Sequence, residues 1–327
     1  MKFLIAGLGS IGRRHLRNLV NLGEKDIILY RTHQATLSDE ELAGFPVVTV
    51  LEEALAQKPD AVIVANPTAL HLDVAIPAAK IGCHLLMEKP LSNSMDGIAQ
   101  LREAVAAGKG KVLVGFQFRY HPGLNQIPKM LKEGAIGRPL SARVHWGEYL
   151  PNWHPWEDYR QGYAARSDLG GGVVLTLCHP LDYLRWLLGD IQELFAFGGH
   201  LSDLELQVED TAEISLHFAN GVVGSVHLNY NQRPPVHILE IVGTGGTVRW
   251  DNADGAVQLS RAGEPWASFP VPTGFERNWL FQEEIRHFLA VMRGDENPIC
   301  TLEDGVWVQR LALSALNSIE TGAKIRL

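Results

Sequence analysis

The glycine-rich segment at residues 7–12, with the sequence Gly-Leu-Gly-Ser-Ile-Gly, constrains the fold of this chain more than any other feature. It follows an apolar run at residues 2–6 that is typical of a buried strand, and apolar residues then recur at helical spacing at 16, 19 and 20. Glycines between a strand and a helix permit a tight turn and let the backbone approach a diphosphate, which the helix N-terminus attracts. The same spacing also fits a tight turn that binds nothing. We predict that this turn holds a dinucleotide through Gly7, Gly9, Ser10, Ile11 and Gly12.

The rest of the N-terminal part alternates short apolar runs with helical patterns. Strands are predicted at residues 27–30, 61–65, 84–87 and 111–116, and helices at 69–81 and 95–107. Regular alternation of strands and helices predicts a doubly wound parallel sheet of the Rossmann type.

The pattern changes after residue 137, where alternating apolar and polar residues are separated by turn pairs such as Asn220-Gly221. Strands are predicted at residues 140–146, 211–218, 222–229, 236–242 and 247–250, which together indicate a mostly antiparallel sheet. Helices are predicted at 173–188, 279–292 and 305–321, and the last two are expected to pack back onto the first domain. The chain is therefore predicted to be α/β, with a dinucleotide-binding domain at 1–122 and a second domain at 123–327.

Charge and cysteine content exclude several functional classes. The 327 residues carry a net charge of −8 and no basic run typical of nucleic-acid binding. Cys83, Cys178 and Cys300 are scattered and form no C-x-x-C pair, so neither a disulfide framework nor a metal site is indicated. No apolar run approaches the ~20 residues of a membrane helix. We expect a cytoplasmic protein that has neither a nucleic-acid nor a membrane partner.

Two positions after the second strand bear on the choice of cofactor. Arg31 and Thr32 stand about 20 residues past the glycine turn, where an acidic residue holds the ribose of NAD. An arginine there pairs with the 2′-phosphate of NADP, and a threonine adds a hydrogen-bond donor. The residues favour NADP over NAD, while a solvated loop arginine is the alternative interpretation.

Lys89 is the candidate catalytic residue. It lies in Glu88-Lys89-Pro90, directly after a predicted strand, and the carboxyl ends of parallel strands face the ligand crevice. A partly buried lysine beside a cationic nicotinamide loses some preference for its ammonium form, which suits proton exchange with a substrate hydroxyl. A surface lysine before a proline turn is the alternative.

Several motifs along the chain occur in the order found in one known family. The sequence resembles the Gfo/Idh/MocA family of glucose–fructose oxidoreductase, inositol dehydrogenase and their relatives, over essentially its whole length. The motifs are the glycine turn, Asn66-Pro67-Thr68 with His71, Glu88-Lys89-Pro90, Gly115 with Arg119, Gly170-Gly171-Gly172 followed by His179 and Asp182, and Glu303-Asp304-Gly305. The resemblance implies a Rossmann domain, a second domain whose open sheet forms the oligomer interface, and a homodimer or homotetramer.

The resemblance also implies roles for individual residues. Lys89 becomes the catalytic lysine and His179 a second proton-handling residue. The cofactor crevice would be lined by Asn66, Pro67, Thr68, His71, Glu88 and Arg119. One departure matters: Thr176 stands near the position of an aspartate that many members carry before the histidine. Threonine cannot act as a carboxylate base, so the proton path is expected to differ, with His179 orienting the substrate.

A segment rich in aromatic and hydrogen-bonding residues, 149–166, is the predicted substrate loop. Aromatic faces pack on a pyranose ring, while arginine and histidine hold hydroxyls or a phosphate. A packed loop that uses tryptophan as core filler is the alternative. With Lys89, Thr176 and His179, the predicted substrate residues are Trp153, His154, Trp156, Tyr159, Arg160 and Tyr163.

These observations predict an NAD(P)-dependent oxidoreductase that interconverts a hydroxyl and a ketone on a sugar, inositol or nucleotide sugar. Two other functions stay open from the sequence. One is a regulatory sensor that binds the cofactor without turnover, which the loss of a carboxylate at Thr176 allows. The other is a glycosidase that uses nicotinamide for transient oxidation.

Overall fold

The computed structural model describes residues 1–32 and 40–327, which form two compact units. Unit 1 contains residues 1–117 and 277–309, and unit 2 contains residues 118–276 and 310–327. The long helix near the C-terminus therefore contributes its first part to unit 1 and its remainder to unit 2. None of the helices within the described residues combines the length and the apolar character of a membrane span.

The strands and helices alternate in the N-terminal part and segregate after it. In chain order the strands are β1 (Lys2–Ala6), β2 (Asp26–Tyr30), β3 (Val47–Val48), β4 (Ala61–Val64), β5 (His84–Glu88), β6 (Val112–Gly115), β7 (Pro139–Tyr149), β8 (Ile191–Gly199), β9 (Thr211–Phe218), β10 (Val223–Asn229), β11 (Asn231–Gly243), β12 (Gly246–Asp251), β13 (Val257–Arg261), β14 (Ala267–Phe269) and β15 (Ile325–Arg326). The helices are α1 (Ser10–Asn21), α2 (Leu51–Ala56), α3 (His71–Lys80), α4 (Ile98–Gly108), α5 (Ile127–Lys132), α6 (Val173–Thr176), α7 (His179–Leu188), α8 (Arg277–Arg293) and α9 (Leu302–Thr321).

Unit 1 is built on a six-stranded sheet in the order β3-β2-β1-β4-β5-β6, and all of its strand pairs are parallel. Its central strands are continuous apolar runs, and β4 and β6 are buried along their whole length. Such strands are covered on both faces by the helices that connect them. The carboxyl ends of β1, β4 and β5 consequently lie along one edge of this sheet, and this edge carries the predicted cofactor residues.

Unit 2 is built on a nine-stranded sheet in the order β14-β13-β12-β11-β7-β10-β9-β8-β15. Only the β7–β10 pair is parallel, and the other pairs are antiparallel. Buried and more exposed residues alternate strictly along β9, which is typical of a sheet with one packed face and one open face. The predicted α/β architecture is confirmed.

The chain folds differently from the sequence pattern at a few elements. The helix predicted over residues 173–188 is two helices, α6 and α7, and the strand predicted over 236–242 is the longer β11. The strands β8 and β13 were not expected from the sequence, although both are paired members of the second sheet. Helix α8 belongs to unit 1, as expected for a helix that packs back onto the first domain.

Candidate active site

The glycine turn of unit 1 has the geometry that dinucleotide binding requires. Gly7 adopts a φ of +93°, and a Cβ atom there would lie 2.4 Å from the amide nitrogen of Asn66. A Cβ atom on Gly12 would lie 1.9 Å from the carbonyl oxygen of Gly7, so both positions need glycine for the turn itself. A Cβ atom on Gly9 would meet no atom of the described residues within 4 Å. Because Gly9 caps α1 without an acidic first turn, the open space there fits an approaching diphosphate.

The positive charges near this turn are already engaged within the protein. The Arg13 side chain donates from Nε to the carbonyl oxygen of Leu8 at 2.9 Å, and its Nη1 lies 3.7 Å from a carboxylate oxygen of Glu41. Arg14 stacks over the ring of Phe281 at 4.4 Å. Arg13 is buried, whereas Arg14 is partly exposed but packed on an aromatic ring, so the residues after β2 are the better candidates for a further phosphate contact.

Arg31 and Thr32 directly follow β2, at the same sheet edge as the glycine turn. The backbone N–H of Arg31 donates to the carbonyl oxygen of Val48 at 3.1 Å, which ties this segment to the neighbouring strand β3. Arg31 is 9% exposed, whereas Thr32 is exposed. The position is therefore anchored through its backbone at the end of a parallel strand.

The turn after β4 is held by a buried histidine. The Nε2 atom of His71 lies 2.9 Å from the carbonyl oxygen of Asn66, and its Nδ1 atom lies 2.9 Å from the carbonyl oxygen of Pro90. His71 thus connects the turn after β4 to the turn after β5, while burial lowers its pKa. The Oδ1 atom of Asn66 is buried without a hydrogen-bond partner in the described residues. Pro67 and Thr68 complete this turn, and Thr68 is buried.

Glu88 ends β5 and is buried beside His15 of α1, with Nε2 of His15 2.7 Å from Oε1 of Glu88. Burial alone would raise the pKa of Glu88, but the hydrogen bond and charge of His15, with the charges of Lys89 and His71, hold it below its usual value. Lys89 follows Glu88 and is partly buried, and the Lys89–Pro90 peptide bond is cis. The structure therefore places the predicted catalytic lysine beside a buried carboxylate at the ligand-facing edge of unit 1.

In unit 2, Arg119 is committed to a buried ion pair. Its Nη2 atom donates to Oδ1 of Asp182 at 2.7 Å, its Nε atom approaches both carboxylate oxygens, and both residues are almost fully buried. Such a pair fixes side chains in one arrangement. Arg119 was predicted to bind cofactor, and the structure assigns it a partner on α7 instead, so cofactor contact stays a prediction.

His179 begins α7 and is held by aromatic side chains. Its ring packs edge-on against Phe118 at a centroid distance of 4.9 Å and lies 5.7 Å from the ring of Trp146. Trp146 in turn stacks on His237 at 4.1 Å, with the two rings nearly parallel. With only 2% of its surface exposed, the His179 imidazole has an orientation fixed by packing.

A carboxyl group that the sequence analysis did not single out lies near Thr176. The Glu209 carboxylate accepts the backbone N–H of Val174 at 3.0 Å, and a Cβ atom on Gly172 would lie 2.4 Å from Glu209 Oε1. Burial raises the pKa of Glu209 to about 7. Buried Tyr230 lies beside the Thr176 side chain and within the electrostatic reach of Glu209. The sequence spacing around Thr176 could not have indicated Glu209, because Glu209 lies in a loop far along the chain.

Most polar groups of the predicted substrate loop bind other loop residues. Arg160 pairs with Asp158 at 2.8 Å and with Glu205 at 2.5 Å, and the hydroxyl of Tyr159 accepts the backbone N–H of Glu205. Two of the remaining predicted residues are partly exposed and contact other side chains: Trp153 packs edge-on against Tyr230, and His154 lies 4.0 Å from Glu157. The other two are exposed, Trp156 at 64% and Tyr163 at 37%. Arg160 is therefore a structural part of the loop as well as a candidate substrate ligand.

Comparison with known families decides the membership of the chain. A model described as the oxidoreductase family, NAD-binding Rossmann fold, matches residues 1–116, and a model of the GFO/IDH/MocA C-terminal domain matches residues 124–249. The chain belongs to the Gfo/Idh/MocA family. Myo-inositol 2-dehydrogenase from Thermotoga maritima is 27% identical over 100% of this chain and 98% of its own length. The 1,5-anhydro-D-fructose reductase of Ensifer adhaerens is 28% identical over 88% of this chain and 83% of its own.

Solved structures of low sequence identity share the fold. Levoglucosan dehydrogenase in complex with NADH and levoglucosan superposes with a TM-score of 0.85 at 21% identity, covering 100% of this chain and 99% of that one. The WlbA dehydrogenase of Bordetella pertussis, in complex with NADH and UDP-GlcNAcA, gives 0.83 at 22% identity, with 100% and 98% covered. Family membership makes this chain a nicotinamide-dependent oxidoreductase, and the geometry of its glycine turn fits the dinucleotide.

Proposed function

We propose that this chain interconverts a hydroxyl and a ketone on a ring carbon of a sugar, an inositol or a nucleotide sugar. One observation carries the proposal: the glycine turn after β1, the Asn66 turn after β4 and Lys89 after β5 share one edge of a parallel sheet. Ligands bind at this edge in doubly wound sheets. A nicotinamide dinucleotide, when bound there, supplies or accepts the hydride. The relatives named above act on polyols and sugars, which supports the substrate class.

Lys89 is assigned the proton transfer. In the oxidation direction its neutral amine takes the proton of the substrate hydroxyl, and in reduction its ammonium returns that proton to the forming alkoxide. Glu88 supplies a negative charge beside Lys89, and the turn braced by His71 fixes where the lysine begins. His179, whose ring is fixed by Phe118 and Trp146, is assigned the orientation of the reacting carbon, since Thr176 offers no carboxylate.

The test is Lys89→Met. We expect kcat to fall at least about a hundredfold, the size of effect typical for loss of a proton-transfer group, while the dissociation constant of the dinucleotide changes less than about threefold. Lys80→Met is the matched control, because Lys80 is an exposed lysine at the end of α3. Unchanged kcat in a folded Lys89→Met enzyme contradicts the assignment.

The cofactor preference rests on Arg31 and Thr32. No acidic side chain follows β2 directly, so the ribose 2′-position would meet an arginine and a threonine, which favours the 2′-phosphate of NADP. Thermal-shift titrations with NADP and NAD test this preference, because a ligand that binds only the folded chain raises its melting temperature. Arg31→Asp should reverse which dinucleotide gives the larger shift, and equal shifts before and after would refute the preference.

The substrate and the assembly are further parts of the proposal. A panel of monosaccharides, inositols and nucleotide sugars, followed at the reduced-nicotinamide absorbance, identifies the substrate class, and Trp156→Ala should raise KM more than it lowers kcat if the loop binds substrate. We also propose a homodimer or homotetramer formed through the open face of the second sheet, on which Phe197 is 68% exposed. Sedimentation of the wild type and of Phe197→Asp checks the assembly. A cytoplasmic location remains a prediction of the sequence.

A further inference from the structure

Three ionisable side chains meet inside unit 1, away from the surface. His15 of α1 and Glu284 of α8 are 0% exposed, and Glu88 at the end of β5 is 7% exposed. One nitrogen or oxygen atom from each residue lies within 4.8 Å of the others. His15 and Glu88 are hydrogen-bonded, but neither carboxylate oxygen of Glu284 has a hydrogen-bond partner in the described residues. A buried carboxylate without donors is strongly disfavoured, so something must neutralise Glu284.

A proton and a metal ion are the two species that can do so. Around zinc or manganese, two ligand atoms stand roughly 3 Å or more apart, because each metal–ligand bond is about 2.0–2.2 Å long. The His15 nitrogen and the Glu88 oxygen are closer, at 2.7 Å, which is a hydrogen-bond distance. The imidazole nitrogen that faces Glu88 is therefore used in that bond, and the geometry favours a proton on Glu284.

The charges around the cluster point the same way. Burial raises the pKa of Glu284 well above its ordinary value, and the negative charge of Glu88 raises it further. The other titratable groups on the surrounding elements shift the pKa of Glu88 or of one another, and none is a main cause of the shift at Glu284. These groups are Arg14 and Arg17 of α1, His71 of α3, Lys89 after β5, and Arg277 of α8. If Glu88 and Glu284 were both ionised, two negative charges would share the single imidazole of His15. If Glu284 is protonated, only Glu88 is negative, and the cluster needs no second positive charge.

We propose that Glu284 is a neutral carboxylic acid whose O–H donates into the His15–Glu88 pair, and that it is a positioning residue for Lys89. The inference rests on the proposed function of Lys89 and deepens it. Protonated Glu284 gains the donor that a carboxylate lacks, and the Glu88 carboxylate is the acceptor within the cluster. The cluster joins α1, β5 and α8, so it fixes the end of the strand from which Lys89 starts.

The proton on Glu284 also controls the charge beside Lys89. With Glu284 neutral, Lys89 is next to one ionised carboxylate, Glu88. A second negative charge nearby would favour the ammonium form of Lys89, which cannot accept a proton from a substrate hydroxyl. A neutral Glu284 therefore keeps the lysine closer to the form that the oxidation direction requires.

The first test compares the wild type with Glu284→Gln in urea unfolding at several pH values from 5 to 9. Folded wild type keeps a proton that the unfolded chain releases above about pH 4.5, so rising pH destabilises it, whereas glutamine is neutral throughout. The ratio of the two unfolding equilibrium constants should change tenfold for each pH unit up to the pKa of Glu284 in the folded chain. Glu320→Gln, at an exposed position on α9, should give a ratio that does not change with pH.

Two results of this comparison overturn the proton assignment. One is a ratio for Glu284→Gln that is independent of pH. The other is tightly bound zinc or manganese, found by elemental analysis of the purified wild type at one atom per chain and lost in Glu284→Gln. Neither measurement uses turnover, so the proton assignment is tested even if Lys89→Met leaves kcat unchanged and the proposed function fails.

The second test concerns positioning and uses Glu284→Leu, which keeps the volume but removes the donor. We expect at least a tenfold lower kcat in Glu284→Leu than in Glu284→Gln at saturating dinucleotide, with similar dinucleotide dissociation constants, because glutamine supplies an N–H donor in place of the acid. We also expect the kcat–pH profile of Glu284→Leu to shift, since Glu88 loses a hydrogen-bond donor. A folded Glu284→Leu enzyme with the wild-type kcat and pH profile overturns the positioning role.

Discussion

Replacing two glycines of the same turn by alanine should separate folding from cofactor binding. In Gly12→Ala the new Cβ atom would lie 1.9 Å from the carbonyl oxygen of Gly7, about 1.5 Å short of an ordinary contact, and backbone must move to relieve it. Overpacking of this kind costs about 2 kcal/mol. With an unfolding entropy near 2.1 cal/mol/K per residue, a cooperative chain of this length should melt about 3 °C lower.

Gly9→Ala should behave in the opposite way. Its Cβ atom meets nothing in the described part of the chain within 4 Å, and the backbone at Gly9 has a φ of −73°, which alanine adopts readily. We expect a change in unfolding free energy within about 0.5 kcal/mol. The methyl group occupies the space that a diphosphate needs, so dinucleotide affinity should fall at least tenfold, or about 1.4 kcal/mol.

The assay pairs a melting curve of the free protein with a fluorescence titration of the reduced dinucleotide for each variant. The diagnostic result is that Gly9→Ala melts like the wild type and binds poorly. If Gly9→Ala binds either dinucleotide as tightly as the wild type, the open space at Gly9 does not serve a diphosphate. That outcome would refute the cofactor geometry, whatever Gly12→Ala does.

Three further predictions concern charged groups. Between pH 4.5 and 7, Glu209→Gln should gain about 3 kcal/mol in unfolding free energy relative to the wild type. The reason is that Glu209 of the folded wild type keeps its proton up to a pKa of about 7, whereas the unfolded chain releases it near 4.5. Urea unfolding at both pH values checks this prediction, and a difference that stays constant with pH contradicts it. Arg119→Met removes the ion-pair partner of the buried Asp182 and should cost about 3–5 kcal/mol. Combining it with Asp182→Leu should recover part of that loss, and an equally unstable double variant would show that packing dominates. Arg102→Gln breaks an ion pair with Glu303 that is about half exposed, so denaturation should show a loss below about 1 kcal/mol, and a larger loss would contradict the role of solvent screening.

The parallel sheet could be predicted because its strands are short apolar runs between glycines and helical patterns. The prediction for residues 2–6 matches β1 and that for 211–218 matches β9. The glycine turn was also recognisable, since its spacing is dictated by the close approach of Gly12 to the carbonyl oxygen of Gly7. Local steric rules act within a few residues of the chain, so they leave a readable pattern.

The remaining features depend on pairing between distant parts of the chain. Strand β8 is paired with its antiparallel neighbours β9 and β15, and its apolar run at residues 194–197 gained its place in the sheet from that pairing. Glu284 joins His15 across most of the length of the chain, and Glu209 reaches Gly172 from a separate loop. Burial and long-range contact, rather than residue type, give these carboxyl groups their unusual pKa values.

The two raised carboxyl groups bear on how a chain with Thr176 handles protons. The carboxylate that many family members carry a few residues before the histidine is replaced by Thr176, yet each unit holds a carboxyl group whose pKa burial has raised. Burial raises the pKa of Glu209 to about 7 near Tyr230, while the proposed proton on Glu284 lies beside Glu88. Since a proton-exchanging group works best when its pKa is near the working pH, Glu209 is suited to exchange and Glu284 to holding a fixed proton. A change of one residue in a motif therefore says little about proton chemistry until the buried carboxyl groups around it are known.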